Sequence, residues 1–192
     1  MRRAFLFVLT ALLLAGCGGT TPPAANPAPA PAAAAAAAPA GLTRSLPTAI
    51  DVPAIAAQSS LVSLGLNADK TVEVPPVDQP LQAGWYEYGP TPGEVGPAVI
   101  LGHIDGDHQK GIFWRLHEMK AGDQVHVDRA DGGKLTFTVT KVAQIAKKEF
   151  PTEAVYGNTN EPELRLITCG GKYDAASRNY LDNVIVYAKL VQ

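Results

Sequence analysis

Beyond residue 46 the apolar positions recur mostly at every second residue, the period of strands, and in one place only at helical spacing. Ile50-Asp51-Val52-Pro53-Ala54-Ile55 predicts a short first strand, and Leu61 to Leu66 a second. Thr71-Val72-Glu73-Val74 alternates and stops at Pro75-Pro76, while Gly84-Trp85-Tyr86-Glu87-Tyr88 is aromatic and extended. Ala98-Val99-Ile100-Leu101 is apolar without a break, as in a strand buried on both faces. Gln124 to Asp128 and Leu135 to Val139 alternate on either side of Ala130-Asp131-Gly132-Gly133, a hairpin turn signal. Leu164 to Thr168 and Val184 to Val191 supply the last two strands. The helical patch is Ile112 to Met119, with Ile112, Leu116 and Met119 on one face. About eight short strands punctuated by Gly and Pro, with one or two short helices, predict an all-β fold. A closed or nearly closed β-barrel is the expected form, and a two-sheet sandwich is the alternative.

The first 45 residues follow another pattern. Arg2 and Arg3 precede the apolar run Ala4 to Leu14, which is too short to span a bilayer comfortably and suits an export signal over residues 1–17. It ends in Leu14-Ala15-Gly16-Cys17, small residues before a cysteine, which resembles a lipobox. Lipidation at Cys17 is therefore expected, with an ordinary secretory signal as the plainer alternative. Two acyl chains give firm anchoring where one does not, which places the domain on the extracellular face of the cell membrane. Residues 18–45 are rich in Pro and Ala, including the run Ala32 to Ala38, and carry a single charge, Arg44. With few large apolar side chains, this stretch reads as a disordered linker. At ~3 Å per residue it reaches roughly 80 Å at full extension. The remaining residues, 46–192, are of ordinary single-domain size.

Charge narrows the partners. The formal net charge is −2 and no basic cluster stands out, which argues against a nucleic-acid partner. No internal repeat is visible, and the domain is expected as a monomer.

The candidate chemistry centres on a thiol. The chain has two cysteines. Cys17 belongs to the signal segment, which leaves Cys169 without an intrachain disulfide partner. Cys169 closes the run Leu164-Arg165-Leu166-Ile167-Thr168 and precedes Gly170-Gly171, the placement of a nucleophile at a strand end. A thiol attacks as thiolate and needs an adjacent base or a favourable charge. His103, just past the buried run Ala98 to Leu101, is the candidate base. Acyl transfer also needs a donor for the oxyanion. Arg178, nine positions after Cys169 and in the loop before the last strand, is the first candidate. Arg165 shares Cys169's strand face but lies roughly 13 Å away along the strand. Thr168 and Gly170, flanking the thiol, are candidates for contacting a substrate. His117 and His126 read as structural. A rival reading takes His103, Asp105, Asp107 and His108 as ligands of a zinc-dependent hydrolase, although Asp105-Gly106-Asp107 also suits a tight turn.

Three stretches together resemble the sortases, cysteine transpeptidases of Gram-positive cell surfaces, and most of all the actinobacterial class F type. They are Pro90 to Gly106 with Gly96-Pro97-Ala98-Val99-Ile100-Leu101-Gly102-His103, then Gly111-Ile112-Phe113 through Leu116 to Ala121-Gly122-Asp123. The third is Leu164 to Gly171 followed by Tyr180 to Ala188. The resemblance implies an eight-stranded sortase barrel and a His-Cys-Arg site. Its partners would be a sorting-motif peptide of the Leu-Pro-x-Thr-Gly kind and a peptidoglycan-precursor amine as acceptor. No cofactor is implied. His103 and Cys169 carry over by position. Arginine does not, because Asp182-Asn183 opens the last strand where many sortases place it. A catalytically silent module that binds such peptides is the alternative from another class.

Overall fold

In the computed structural model, which describes residues 41–191, ten strands follow one another with little helix. They are β1 (Pro47–Val52), β2 (Ala57–Leu64), β3 (Ala83–Tyr86), β4 (Gly96–Gly102), β5 (Asp105–Gly106) and β6 (Gln109–Lys110). Then come β7 (Gln124–Arg129), β8 (Lys134–Ala146), β9 (Pro162–Asp174) and β10 (Asn179–Leu190). Eight close into a barrel in the order β1-β2-β3-β4-β9-β10-β8-β7, and β5 and β6 form a small hairpin outside it. The predicted all-β barrel is therefore what the chain forms, and the sandwich is not. Two neighbouring pairs, β2 with β3 and β4 with β9, are parallel, while the other barrel pairs are antiparallel.

Alternation explains which side chains fill the barrel. Val125, Val127, Phe137, Val139, Leu164, Leu166, Val184 and Val186 point inward from successive strands to Trp85 and Ile100. Residues of the opposite parity on β4, β9 and β10 (Val99, Ile167 and Ile185) pack outside the wall with Val155. That burial on both faces is what the unbroken Ala98 to Leu101 run foretold. Val155 belongs to α1 (Thr152–Tyr156), a five-residue helix with no clear signal in the sequence.

Three expectations change. Ile112 to Met119 is not an α-helix. Its backbone bonds run from Trp114 to Gly111, Leu116 to Phe113, Glu118 to Arg115 and Met119 to Leu116, all three residues back. Only Leu116–Glu118 forms a 3₁₀ turn. The predicted apolar face is nonetheless real, since Ile112, Leu116 and Met119, with Phe113, are buried in the main core. Thr71 to Val74 makes a single bridge, Leu66 with Val72, before the prolines end any pairing. And Cys169 does not close its strand. β9 continues to Asp174, paired to β10 as far as Asn179.

The signal segment 1–17, Cys17 and most of the linker lie outside the described residues. The end of the linker is tied to the barrel. Leu42 N–H donates to Gly93 O at 2.7 Å, Ser45 N–H to Thr91 Oγ1 at 3.2 Å, and Arg44 lies over the Trp85 ring.

Candidate active site

The last pair between β4 and β9 joins Leu101 to Ile167. Beyond it β9 pairs with β10 alone, while β8 flanks β10 as far as Asp182, and past that point β9 and β10 project as a ribbon. Cys169 sits just before that ribbon, opposite Asn183 of β10. Alternation puts Arg165, Ile167 and Cys169 on the outer face and Leu164, Leu166 and Thr168 on the inner one. The thiol is half-buried and free. Gly171 follows at φ 73°, a left-handed conformation that suits glycine, and a Cβ there would run into the Asp182 carboxylate.

His103 follows β4 directly and reaches the same place. It lines a cavity of about 90 Å³ with Cys169, Thr168, Asn183, Val74 and Pro75. Its Nε2 is 2.6 Å from the carbonyl oxygen of Pro75. Gly111 packs against its backbone so closely that a Cβ would lie 2.5 Å from the His103 carbonyl carbon. Phe113 N–H donates to His103 O at 3.0 Å. A glycine at 111 is thus a condition for the position of the imidazole.

Thr168 is buried, and its Oγ1 has no hydrogen-bond partner. It lines the His103 cavity and also a neighbouring one of about 240 Å³, shared with Cys169, Gly170, Trp114, His117 and Gln144. A buried hydroxyl left open beside a free thiol is available to a bound group.

Among the described residues, neither arginine donates a hydrogen bond to the thiol. Arg178 is exposed, at φ 51°, in the four-residue turn that joins β9 to β10. Its neighbour Asn179 does reach the site, where its Oδ1 accepts from Lys147. Arg165 is buried in a structural role. It pairs with Glu163 at 2.6 Å and stacks 4.6 Å from the centre of the Tyr187 ring. The cation beside Cys169 is Lys147, whose Nζ is 3.5 Å from Sγ and donates to Asn179 Oδ1 at 2.6 Å. No sequence signal singled it out, because its proximity depends on the register of β8 against β10 and β9.

The zinc constellation does not assemble. Asp105 accepts a short hydrogen bond from the Tyr180 hydroxyl. Asp107 and His108 occupy the exposed two-residue turn between β5 and β6, both at positive φ. His103 is turned to Pro75. Among the described residues, no group of three or more His, Cys, Asp or Glu side chains converges as metal ligands. The Asp105 bond, first, and then partial burial push the Tyr180 phenol up to about 12. This contact ties the β5–β6 hairpin to the β9–β10 ribbon across a groove lined by Trp114 and Tyr173.

Residues 50–191 match the family described as the Sortase domain. No curated protein matches the chain by sequence. Among solved structures the fold is similar to the sortase D5 transpeptidase of Clostridium perfringens, at 19% identity and a TM-score of 0.56, covering 77% of this chain and 79% of that one. It is similar to a lid mutant of sortase A from Corynebacterium diphtheriae, at 20% identity and a TM-score of 0.58, covering 79% and 73%. It is also similar to sortase C1 of Streptococcus agalactiae, at 21% identity and a TM-score of 0.57, covering 75% and 66%.

Proposed function

This chain belongs to the sortase family, and from that premise we propose that it is a cysteine transpeptidase of the class F type acting on a Leu-Pro-x-Thr-Gly sorting motif. The observation that carries the reading is the shared cavity of Cys169 and His103 at the end of the barrel. It brings a nucleophile and a base together from strands far apart in sequence.

The thiol proton of Cys169 passes to His103, and the thiolate attacks the carbonyl carbon of the threonine–glycine bond. The carbon–nitrogen bond breaks as His103 returns the proton to the glycine amine, leaving a thioester on Cys169. An incoming amine then attacks the thioester and gives its proton to His103, and the carbon–sulfur bond breaks. Water in place of the amine gives hydrolysis. A carbonyl can only accept, so the Nε2–H of His103 donates to Pro75, and Nδ1 is the nitrogen left for proton traffic. The Thr168 hydroxyl and the backbone N–H of Gly170 are the candidate donors to the substrate carbonyl.

The acceptor in this reading is a peptidoglycan-precursor amine. Lipidation at Cys17 would hold the domain at the outer face of the membrane.

The test incubates a sorting-motif peptide and an amine with the domain and with Cys169→Ala. A thioester adduct on the wild type alone, with amine-dependent product, is expected. Equal turnover by both, or no adduct, would overturn the reading.

A further inference from the structure

The charge that supports Cys169 comes from a part of the chain that neither arginine occupies. β8 ends at Ala146, and Lys147 opens the 3₁₀ turn that follows. In the ladder Ile145 lies opposite Asn183, which in turn lies opposite Cys169. Two residues past Ile145, the Lys147 side chain is on the same face and leans across β10 toward the sulfur. On that face β10 presents Leu181 and Asn183, neither of which is charged. The ammonium therefore meets no competing cation between itself and the thiol. Lys147 Nζ is held by Asn179 Oδ1 at 2.6 Å and stands 3.5 Å from Sγ. The side chain is half-buried, so it is placed against the wall rather than swinging free in solvent.

We propose that Lys147 is the catalytic cation of this enzyme: its ammonium stabilises the Cys169 thiolate and then the oxyanion formed when that thiolate adds to the substrate carbonyl. Lysine keeps its proton throughout, and the proton of the thiol goes to His103. Asn179 is a positioning residue that aims Nζ at the sulfur. An ammonium is a compact point charge with three donors, so it serves the sulfur and Asn179 together and keeps one donor for an oxyanion. The inference rests on the acyl-transfer reading of the Cys169–His103 site.

The other ionisable groups around Cys169 are His103 in its cavity, His117 in the neighbouring one, and Tyr180 and Asp182 on β10. The test therefore keeps these constant and changes only Lys147. Alkylation of Cys169 by iodoacetamide is followed against pH in the wild type, Lys147→Met, Lys147→Arg and Asn179→Ala, with Lys148→Met as the control. Lys148 is exposed and lies beside Glu149, away from the thiol. Motif-peptide turnover is measured on the same proteins, and thermal melts confirm folding.

Lys147→Met is expected to move the alkylation profile to higher pH and to lower kcat/KM at least tenfold. Lys147→Arg should recover most of both, Asn179→Ala should fall between, and Lys148→Met should match the wild type. A Lys147→Met protein with the wild-type alkylation profile and turnover would overturn the proposal. A wild type that forms no thioester while its alkylation still depends on Lys147 would instead overturn the acyl-transfer reading and leave the Lys147–Cys169 coupling standing.

Discussion

The carbonyl oxygen of Pro75 lies 2.6 Å from Nε2 of His103, so the residue that ends the Thr71–Val74 segment also fixes the imidazole. Pro75 is itself buried, in a loop whose neighbours Val74 and Val77 are exposed. Neutral His103 is therefore expected as the Nε2–H tautomer. Nitrogen-15 shifts of the ring, measured above the imidazole titration, check this. A dominant Nδ1–H form would contradict the arrangement.

Thr168→Val separates stability from activity. The Thr168 hydroxyl is buried without a partner. Replacing it with a methyl group removes an unsatisfied polar atom, so the melting temperature should hold or rise. If the hydroxyl donates to bound substrate, kcat/KM should fall about tenfold, the scale of one net hydrogen bond. Unchanged turnover would remove Thr168 from the substrate contacts.

Arg165→Met should behave in the opposite way. The Arg165 side chain is 4% exposed and bound to Glu163, whose side chain is 17% exposed. Removing the guanidinium strands a carboxylate in the wall and takes the stack off Tyr187. A loss of about 3 kcal/mol is expected by denaturant titration, in line with breaking one half of a buried pair. The alkylation rate of Cys169 in the folded protein should not move. A large drop in that rate with intact stability would return Arg165 to the chemistry.

The Asp105–Tyr180 contact predicts an alkaline limb. Tyr180 holds its proton more tightly in the folded protein, up to about 12 against the ordinary 10.0. A raised value stabilises the fold fully below the unfolded one, and this contribution disappears as pH rises through the folded one. Stability should thus decline between pH 10 and 12 more steeply in the wild type than in Tyr180→Phe. Urea melts across that range test it, and parallel curves would show that the bond contributes nothing.

Much of this was legible in the chain. Strands β4, β9 and β10 declare themselves through unbroken or alternating apolar runs. The Cys169–His103 pairing follows from a lone thiol and an imidazole, each just past a buried run. What was hidden has common physical causes. The Ile112, Leu116 and Met119 spacing suits successive three-residue turns as well as an α-helix, so it revealed burial and not conformation. The helix at Thr152–Tyr156 is too short to show a period. Lys147 touches Cys169 only through the register of three strands, and no local pattern encodes a cross-strand diagonal.

The parallel pairing of β4 with β9 sets when Cys169 and His103 meet. Parallel neighbours cannot be joined by a tight turn, and here β5 to β8 and α1 lie in sequence between Ala98 and its partner Leu164 and between Ile100 and its partner Leu166. Such long-range closure makes folding slow compared with local pairing. Until it is complete, Cys169 has no imidazole beside it, since His103 arrives with β4 whereas Lys147 arrives with β8. The meeting of thiol and imidazole is thus a late product of folding.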